Sequence, residues 1–211
     1  MAIRLAIQYD GQDAARHQLD MRLFGQSMVG LDKAIHETFF VAAEGRLPKQ
    51  RERLPLSVQV APPHAACVDV RAVIEATAGV LPFAYELFVN VGSDYIFNVI
   101  SYLLKSLGGR QKEADPHFER LMELYRESQS QLLHDRQLER EAHYASDDRW
   151  RETLLEVMDR LTPAAKQIVA PVGPSCNVVK FENPRQGQPA TEVDVPMADA
   201  VRSSGQLEVG D

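Results

Sequence analysis

The sequence contains little cysteine: Cys67 and Cys176 are the two cysteines among 211 residues, and neither belongs to a CxxC or CxxH spacing. Two such distant cysteines cannot form a disulfide scaffold, and their sparse use is typical of a reducing compartment. The chain also lacks a basic head followed by an apolar run, and its most apolar stretch, 79–107, is interrupted by proline and charged residues. We therefore expect a cytoplasmic protein without a signal peptide and without a membrane contact.

Patterns that bind metals, nucleotides or polyanions are missing as well. The six histidines form no HxH, HxxxH or HExxH pair, and the glycines match neither GxGxxG nor the phosphate-binding P-loop. Lysine and arginine number 23 against 30 aspartates and glutamates, which gives a formal net charge of -7. This balance argues against non-specific binding of nucleic acid, which needs clustered cations. We expect no metal, no cofactor and no nucleic-acid partner.

What is present is an ordinary globular composition, with 45% hydrophobic and 25% charged residues. Alternation and turn residues predict strands at 3–9, 56–61, 66–74 and 176–182, and helical spacing predicts helices at 20–43 and 93–107. Gly25 and Gly30 weaken the first helix, so we expect a closely packed neighbour there. The predicted fold class is α+β: a small, mostly antiparallel sheet packed against helices, with a charged helical hairpin.

The hairpin is predicted over 111–161, from a helix that begins near 115 and runs to about 141 and a second helix over 146–161. A separate short helix is expected to begin at Thr162 and Pro163 and to end at Pro171. The remainder reads as a returning strand and a polar tail with one weak helix near 197–202. The predicted regions are thus 1–110, 111–161 and 162–211 in one compact unit, and residues 207–211 resemble the lead-in to a further strand of a longer protein.

The most pointed local motif is the turn PVGPSC at 171–176, where Cys176 and Ser175 are weak candidates for a nucleophile. A histidine brought near by folding would activate either side chain, which gives a hydrolase-type enzyme as one alternative. A free cysteine is more commonly a small buried apolar side chain. The sequence shows no further catalytic constellation, so it leans away from an enzyme without deciding the question.

Two surfaces are candidates for interaction. The first is the basic, proline-flanked loop that carries Arg46, Lys49, Arg51 and Arg53, which gives a ligand or nucleic-acid sensor as a second alternative. The second is the helical hairpin, whose apolar and aromatic side chains are typical of partner interfaces. We expect it to mediate homodimerisation or docking of a partner protein, through Tyr125, Leu132, Leu133 and Trp150.

The order of these features resembles a family of bacterial, prophage-associated proteins of unassigned function. The matching stretches are 5–10, 24–34, the strands at 56–61 and 66–74, and 171–176. The resemblance implies a setting in a mobile element, such as phage defence, and implies that the chain corresponds to the N-terminal part of a longer protein. It carries no catalytic residue. The leading interpretation is a non-enzymatic protein-interaction or regulatory module.

Overall fold

The computed structural model describes residues 2–44, 46–49, 52, 54, 56–64, 68–76, 92–109, 117, 119–124, 143–183 and 190–204. Its elements are strands and helices interspersed along the chain, with a short 3-10 turn at Ala14–Arg16. They are β1 (Ala2–Asp10), α1 (Met21–Glu44), β2 (Leu56–His64), β3 (Val68–Ala76), α2 (Gly92–Leu107), α3 (His143–Ile168), β4 (Val178–Glu182), β5 (Thr191–Asp194) and α4 (Val195–Ser203).

The strands form one antiparallel sheet in the order β2-β3-β1-β4-β5. Ile7 in the central strand faces Val70 of β3 on one side and Phe181 of β4 on the other, and all three side chains are buried. Alternate positions such as Arg4 and Glu192 are exposed. The helices therefore cover one face of the sheet, which confirms the predicted α+β class.

Helices α1 and α3 pack antiparallel, since Ser27 lies beside Ile168 and Glu37 lies beside Arg160. A relay of hydrogen bonds joins this pair to the sheet. The Ser27 hydroxyl donates to the Ile168 carbonyl over 2.7 Å, so the Tyr9 hydroxyl must be the donor in its 2.8 Å contact with Ser27 Oγ. Three elements distant in sequence are thereby held in one arrangement.

The separate helix expected to begin at Thr162 and Pro163 is wrong, because α3 continues through both residues to Ile168 as a single helix. A proline inside a helix removes one backbone hydrogen bond. Pro163 and Asp159 are both exposed, so water can solvate the carbonyl that loses its partner. On the opposite side Leu161 and Ala164 are buried, and this packing outweighs the local cost of the proline.

The polar tail contains a strand that was not predicted, β5, and this strand is followed directly by α4. Val193 and Val201 are buried in the common core despite the polar composition around them. The Asp194 carboxylate caps α4 by accepting a hydrogen bond from the Met197 N–H, 3.1 Å away, and Pro196 lies in the first turn. The weak helix predicted near 197–202 is therefore confirmed, with an earlier start.

About half of the predicted hairpin, including 125–142, lies outside the described residues. Residues 119–124 are helical, and α3 supplies the second helix. The division into 1–110, 111–161 and 162–211 stays a prediction.

Candidate functional site

A half-open cleft of about 360 Å³ lies between α1, the loop that follows α1, and α3. Lys33, Glu37 and Phe40 recur at spacings of four and three residues, so α1 presents them on one side while Leu31 and Ile35 enter the core. The cleft is lined by Lys33, His36, Glu37 and Phe40 of α1, by Pro48, Lys49 and Glu52 of the loop, and by Arg160 of α3.

The loop is closed on itself by Arg46. Its guanidinium donates two hydrogen bonds to the Glu52 carboxylate, of 2.9 Å to Oε2 and 2.7 Å to Oε1, and lies 5.0 Å from the centre of the Phe40 ring. The Lys49 backbone N–H donates a third bond to Glu52 Oε2. The hydrogen bonds from Arg46 lower the pKa of Glu52 to about 2, so this carboxylate is ionised at neutral pH.

Arg160 joins the loop to both helices. Its Nη1 donates to the Pro48 carbonyl over 2.9 Å, and its Nε lies 3.2 Å from Glu37 Oε2. This second contact is an ion pair without the alignment of a hydrogen bond, because Glu37 Oε2 is buried and accepts no directed bond. The lining therefore brings together charges from three separate parts of the chain.

Two cations remain after these pairs are formed. Glu37 is neutralised by Arg160 and Glu52 by Arg46, whereas the ammonium groups of Lys33 and Lys49 form no ion pair or hydrogen bond within the described part of the chain. The side chains that line the cleft carry three cations, Lys33, Lys49 and Arg160, against two carboxylates, Glu37 and Glu52, which is a surplus of one positive charge. Arg46 lies outside the lining and is balanced by Glu44, 3.9 Å away. Such a surplus attracts a negatively charged group.

The sequence identified part of this site. Arg46 and Lys49 lie at the cleft, although Arg46 is held by Glu52 and is not available to a ligand. Arg51, Arg53, Tyr125, Leu132 and Leu133 lie outside the described residues, as does the side chain of Trp150 in α3.

The remaining cleft residues were missed. Lys33, His36, Glu37 and Arg160 had the appearance of ordinary solvated helix positions, because their convergence depends on the antiparallel contact of α1 with α3. Their sequence signal is limited to the polar side of two amphipathic helices.

Hydrogen bonds hold the turn at 171–176 and link it to the start of α1. Gly173 adopts a φ of +97°, and the N–H groups of Ser175 and Cys176 both donate to the Pro171 carbonyl. Ser175 Oγ accepts a 3.0 Å hydrogen bond from the Asp20 N–H and so supports the start of α1.

Cys176 is fully buried, and this burial raises the pKa of its thiol to about 11. About one thiol in ten thousand is then ionised at pH 7. The charged groups that act on it are Arg202 and Asp10, and no histidine is among them in the described residues.

A second polar cluster lies along one side of the buried helix α2. Asp94, Asn98, Ser101 and Lys105 lie four, three and four residues apart on this helix. Asn183 donates to Asp94 Oδ1 over 2.6 Å, and the Ser101 and Thr191 hydroxyls lie 2.7 Å apart. These pairs join α2 to β5 and to the end of β4.

His117 occupies the centre of this cluster. The Lys105 ammonium can only donate, so His117 Nε2 accepts its 2.8 Å bond, and His117 Nδ1 then donates to Asn98 Oδ1 over 2.7 Å. The geometry thus fits a neutral imidazole with its proton on Nδ1. Paired buried groups of this kind specify one arrangement of a core.

The described residues contain no cluster of three metal-ligating side chains, and none of their helices is both long enough and apolar enough to cross a membrane. No curated protein and no solved structure matches the chain. A family model described as "Domain of unknown function (DUF7946)" matches residues 5–202, which is nearly the whole chain, and the protein therefore belongs to the DUF7946 family.

Proposed function

We propose that this protein is a non-enzymatic binding module that recognises a carboxylate-bearing segment of a partner protein in the cleft between α1, the 46–54 loop and α3. The observation that carries the proposal is the pair of ammonium groups, on Lys33 and Lys49, that line one cleft and form no close ion pair in the described residues. Lys49 acts on the Glu52 carboxylate only at longer range. Aspartate or glutamate side chains of a partner supply the missing charges.

The shape of the cleft supports a protein segment rather than an enclosed small molecule. Small-molecule pockets are commonly apolar and bury most of the ligand, whereas this cleft is half-open and six of its eight lining residues are charged or histidine. A segment that crosses the opening can place one or two carboxylates near Lys33 and Lys49 while the rest of it stays solvated.

The charge of the chain also distinguishes the ligand class. A nucleic-acid backbone brings many phosphates, and the net charge of -7 of the chain as a whole opposes such an approach. A short acidic segment brings fewer charges to the cleft. For this loop, binding of nucleic acid is therefore a less favoured function than binding of an acidic protein segment.

The test is the binding of a fluorescein-labelled hexaglutamate peptide, followed by fluorescence anisotropy at about 20 mM salt, where exposed charges are least screened. We expect the double variant Lys33→Glu, Lys49→Glu to bind at least about tenfold more weakly than the wild type, because attraction becomes repulsion. The matched variant Lys33→Arg, Lys49→Arg keeps both charges and should bind within about threefold of the wild type.

Two controls separate a specific cleft from general charge attraction. Arg4→Glu reverses an exposed cation on β1, away from the cleft, and should leave peptide binding nearly unchanged. A labelled hexalysine peptide should bind more weakly than hexaglutamate. Equal binding of hexaglutamate by the reversed Lys33 and Lys49 variant contradicts the proposal, and tighter binding of a 12-nucleotide single-stranded DNA supports the nucleic-acid sensor instead.

The biological setting is part of the same proposal: a bacterial, prophage-associated module that acts in the cytoplasm, as in phage defence. It is supported by the resemblance of residues 5–10, 24–34 and 171–176 to such proteins and by the sparse cysteine content. Recurrence of the gene beside prophage integrase and structural genes tests the setting, and recurrence among unrelated housekeeping genes contradicts it.

A further inference from the structure

Two glycines of α1 have opposite surroundings. A Cβ atom built on Gly30 would lie 2.6 Å from the Ala164 carbonyl oxygen and 2.7 Å from Gln167 Cβ, so α3 requires a glycine there. A Cβ atom built on Gly25 meets nothing within 4 Å. Glycine weakens a helix relative to alanine. The packing of α3 explains why a glycine is present at position 30 but does not explain the one at position 25.

The residues beside Gly25 are apolar and exposed. Met21 is 86% exposed and Val29 is 60% exposed, and they lie four residues before and four residues after Gly25. Residues four apart on a helix lie on the same face. We call Met21, Gly25 and Val29 the open α1 face.

We propose that the open α1 face is a self-association surface, on which α1 of a second copy of this chain packs antiparallel with Gly25 at the crossing point. A two-fold axis through Gly25 brings Met21 of each copy onto Val29 of the other, so the same patch is complementary to itself. The missing side chain at Gly25 lets the two helix backbones approach closely, as small residues do at other helix crossings.

The charges beside the face select this orientation. Arg22 is exposed and forms no ion pair in the described residues. The Asp32 side chain on the same side of α1 is 40% exposed, and its Oδ1 lies 3.2 Å from His36 Nδ1, so Arg22 of a second copy would share a carboxylate that already has a partner. In the antiparallel arrangement Arg22 of one copy lies about 6 Å along the axis from Asp32 of the other, at a rise of 1.5 Å per residue. An arginine side chain spans that distance, and the symmetry forms the pair twice. A parallel arrangement would place the two Arg22 side chains side by side.

The small buried area predicts a weak dimer. An interface made by one helix face from each copy buries an area in the smallest class of protein interfaces, so we expect a dissociation constant of about 10–500 μM. Met21, Gly25 and Val29 do not line the cleft, although Asp32 contacts His36 of its lining, and the proposal does not depend on what the cleft binds.

The test is analytical ultracentrifugation of the full chain between about 5 and 500 μM. We expect the weight-average mass of the wild type to rise towards that of a dimer. Gly25→Glu places a bulky charge at the crossing point, so it should weaken dimerisation at least tenfold. It should not lower the melting temperature, since no atom of the described chain lies near the new side chain. The control Val60→Glu changes an exposed apolar residue on β2 and should leave dimerisation unchanged.

A charge exchange tests the orientation. Arg22→Glu and Asp32→Arg should each weaken dimerisation about threefold or more, and the double variant should restore at least half of the loss. A wild type that stays monomeric to 500 μM overturns the proposal and leaves the face to a different partner. A Gly25→Glu variant that dimerises like the wild type places the interface elsewhere and overturns it equally.

Discussion

Replacing Gly30 with alanine should destabilise the protein, although alanine is the better helix former. The added Cβ would lie 2.6 Å from the Ala164 carbonyl oxygen and 3.0 Å from the Ile168 amide nitrogen, both of which belong to the backbone of α3. Ordinary contact begins at 3.4 Å, so α1 and α3 would have to separate by about 0.8 Å at this point. No rotation of a flexible side chain can relieve a contact with backbone atoms.

The magnitude follows from three contributions. Overpacking of a tight core costs about 1–3 kcal/mol, and the upper part of that range applies because backbone atoms are involved. The same separation would stretch the 2.7 Å hydrogen bond from Ser27 to Ile168, which costs about 1 kcal/mol. Alanine returns about 1 kcal/mol of helix propensity. The net loss for Gly30→Ala is about 2–3 kcal/mol.

The assay is thermal unfolding by circular dichroism at low micromolar concentration, where a weak dimer has dissociated. For a chain of this size the melting temperature of Gly30→Ala should fall by about 4–10 °C. Gly25→Ala is the matched control on the same helix, and it should raise the melting temperature by about 1–4 °C because its Cβ meets nothing. A Gly30→Ala protein that melts at or above the wild-type temperature would refute the close approach of α1 and α3.

Three further predictions follow from single groups. Burial raises the pKa of Cys176 to about 11, so iodoacetamide should modify this thiol slowly in the native protein at pH 8 and rapidly in guanidinium. Peptide mass spectrometry measures the modification, and fast modification of the native protein contradicts the prediction. The folded thiol keeps its proton above the usual pKa of 9.0, so the unfolded state loses protons first and stability should fall as the pH rises from 9.0 towards 11. Glu52→Gln removes the charge that holds Arg46, so trypsin should cleave faster after Arg46. The melting temperature should hardly change, because exposed ion pairs contribute little to the free energy of unfolding. Unchanged cleavage would show that other contacts hold the loop. Asn98→Ala removes the acceptor of the hydrogen bond from His117 Nδ1 and should lower the free energy of unfolding in urea by about 1–3 kcal/mol. The losses of the two single variants, Asn98→Ala and His117→Ala, should add up to more than the loss of the double variant. Simple additivity would show that the two side chains act independently.

The elements with strong local patterns were predictable from the sequence. Strands β1 to β4 and helices α1 and α2 appear close to their expected positions, because apolar periodicity reports which side of an element is buried. The predicted burial of Cys176 is also confirmed. Weaker local patterns failed: Thr162 and Pro163 resemble a helix start yet lie inside α3, and the polar residues near Val193 concealed β5.

The sequence by itself determined the class of the fold, the burial of its apolar residues and the acidic balance of the chain, since each depends on composition or on near neighbours. It also predicted a close neighbour for both Gly25 and Gly30. The tertiary structure confirms this prediction at Gly30 and shows that it is wrong at Gly25, which is open. The cleft, too, was decided only by the tertiary structure: Lys33 and Arg160 are more than a hundred residues apart and meet because α1 and α3 pack antiparallel. Such contacts depend on the pairing of whole elements, and no local spacing records which elements will pair.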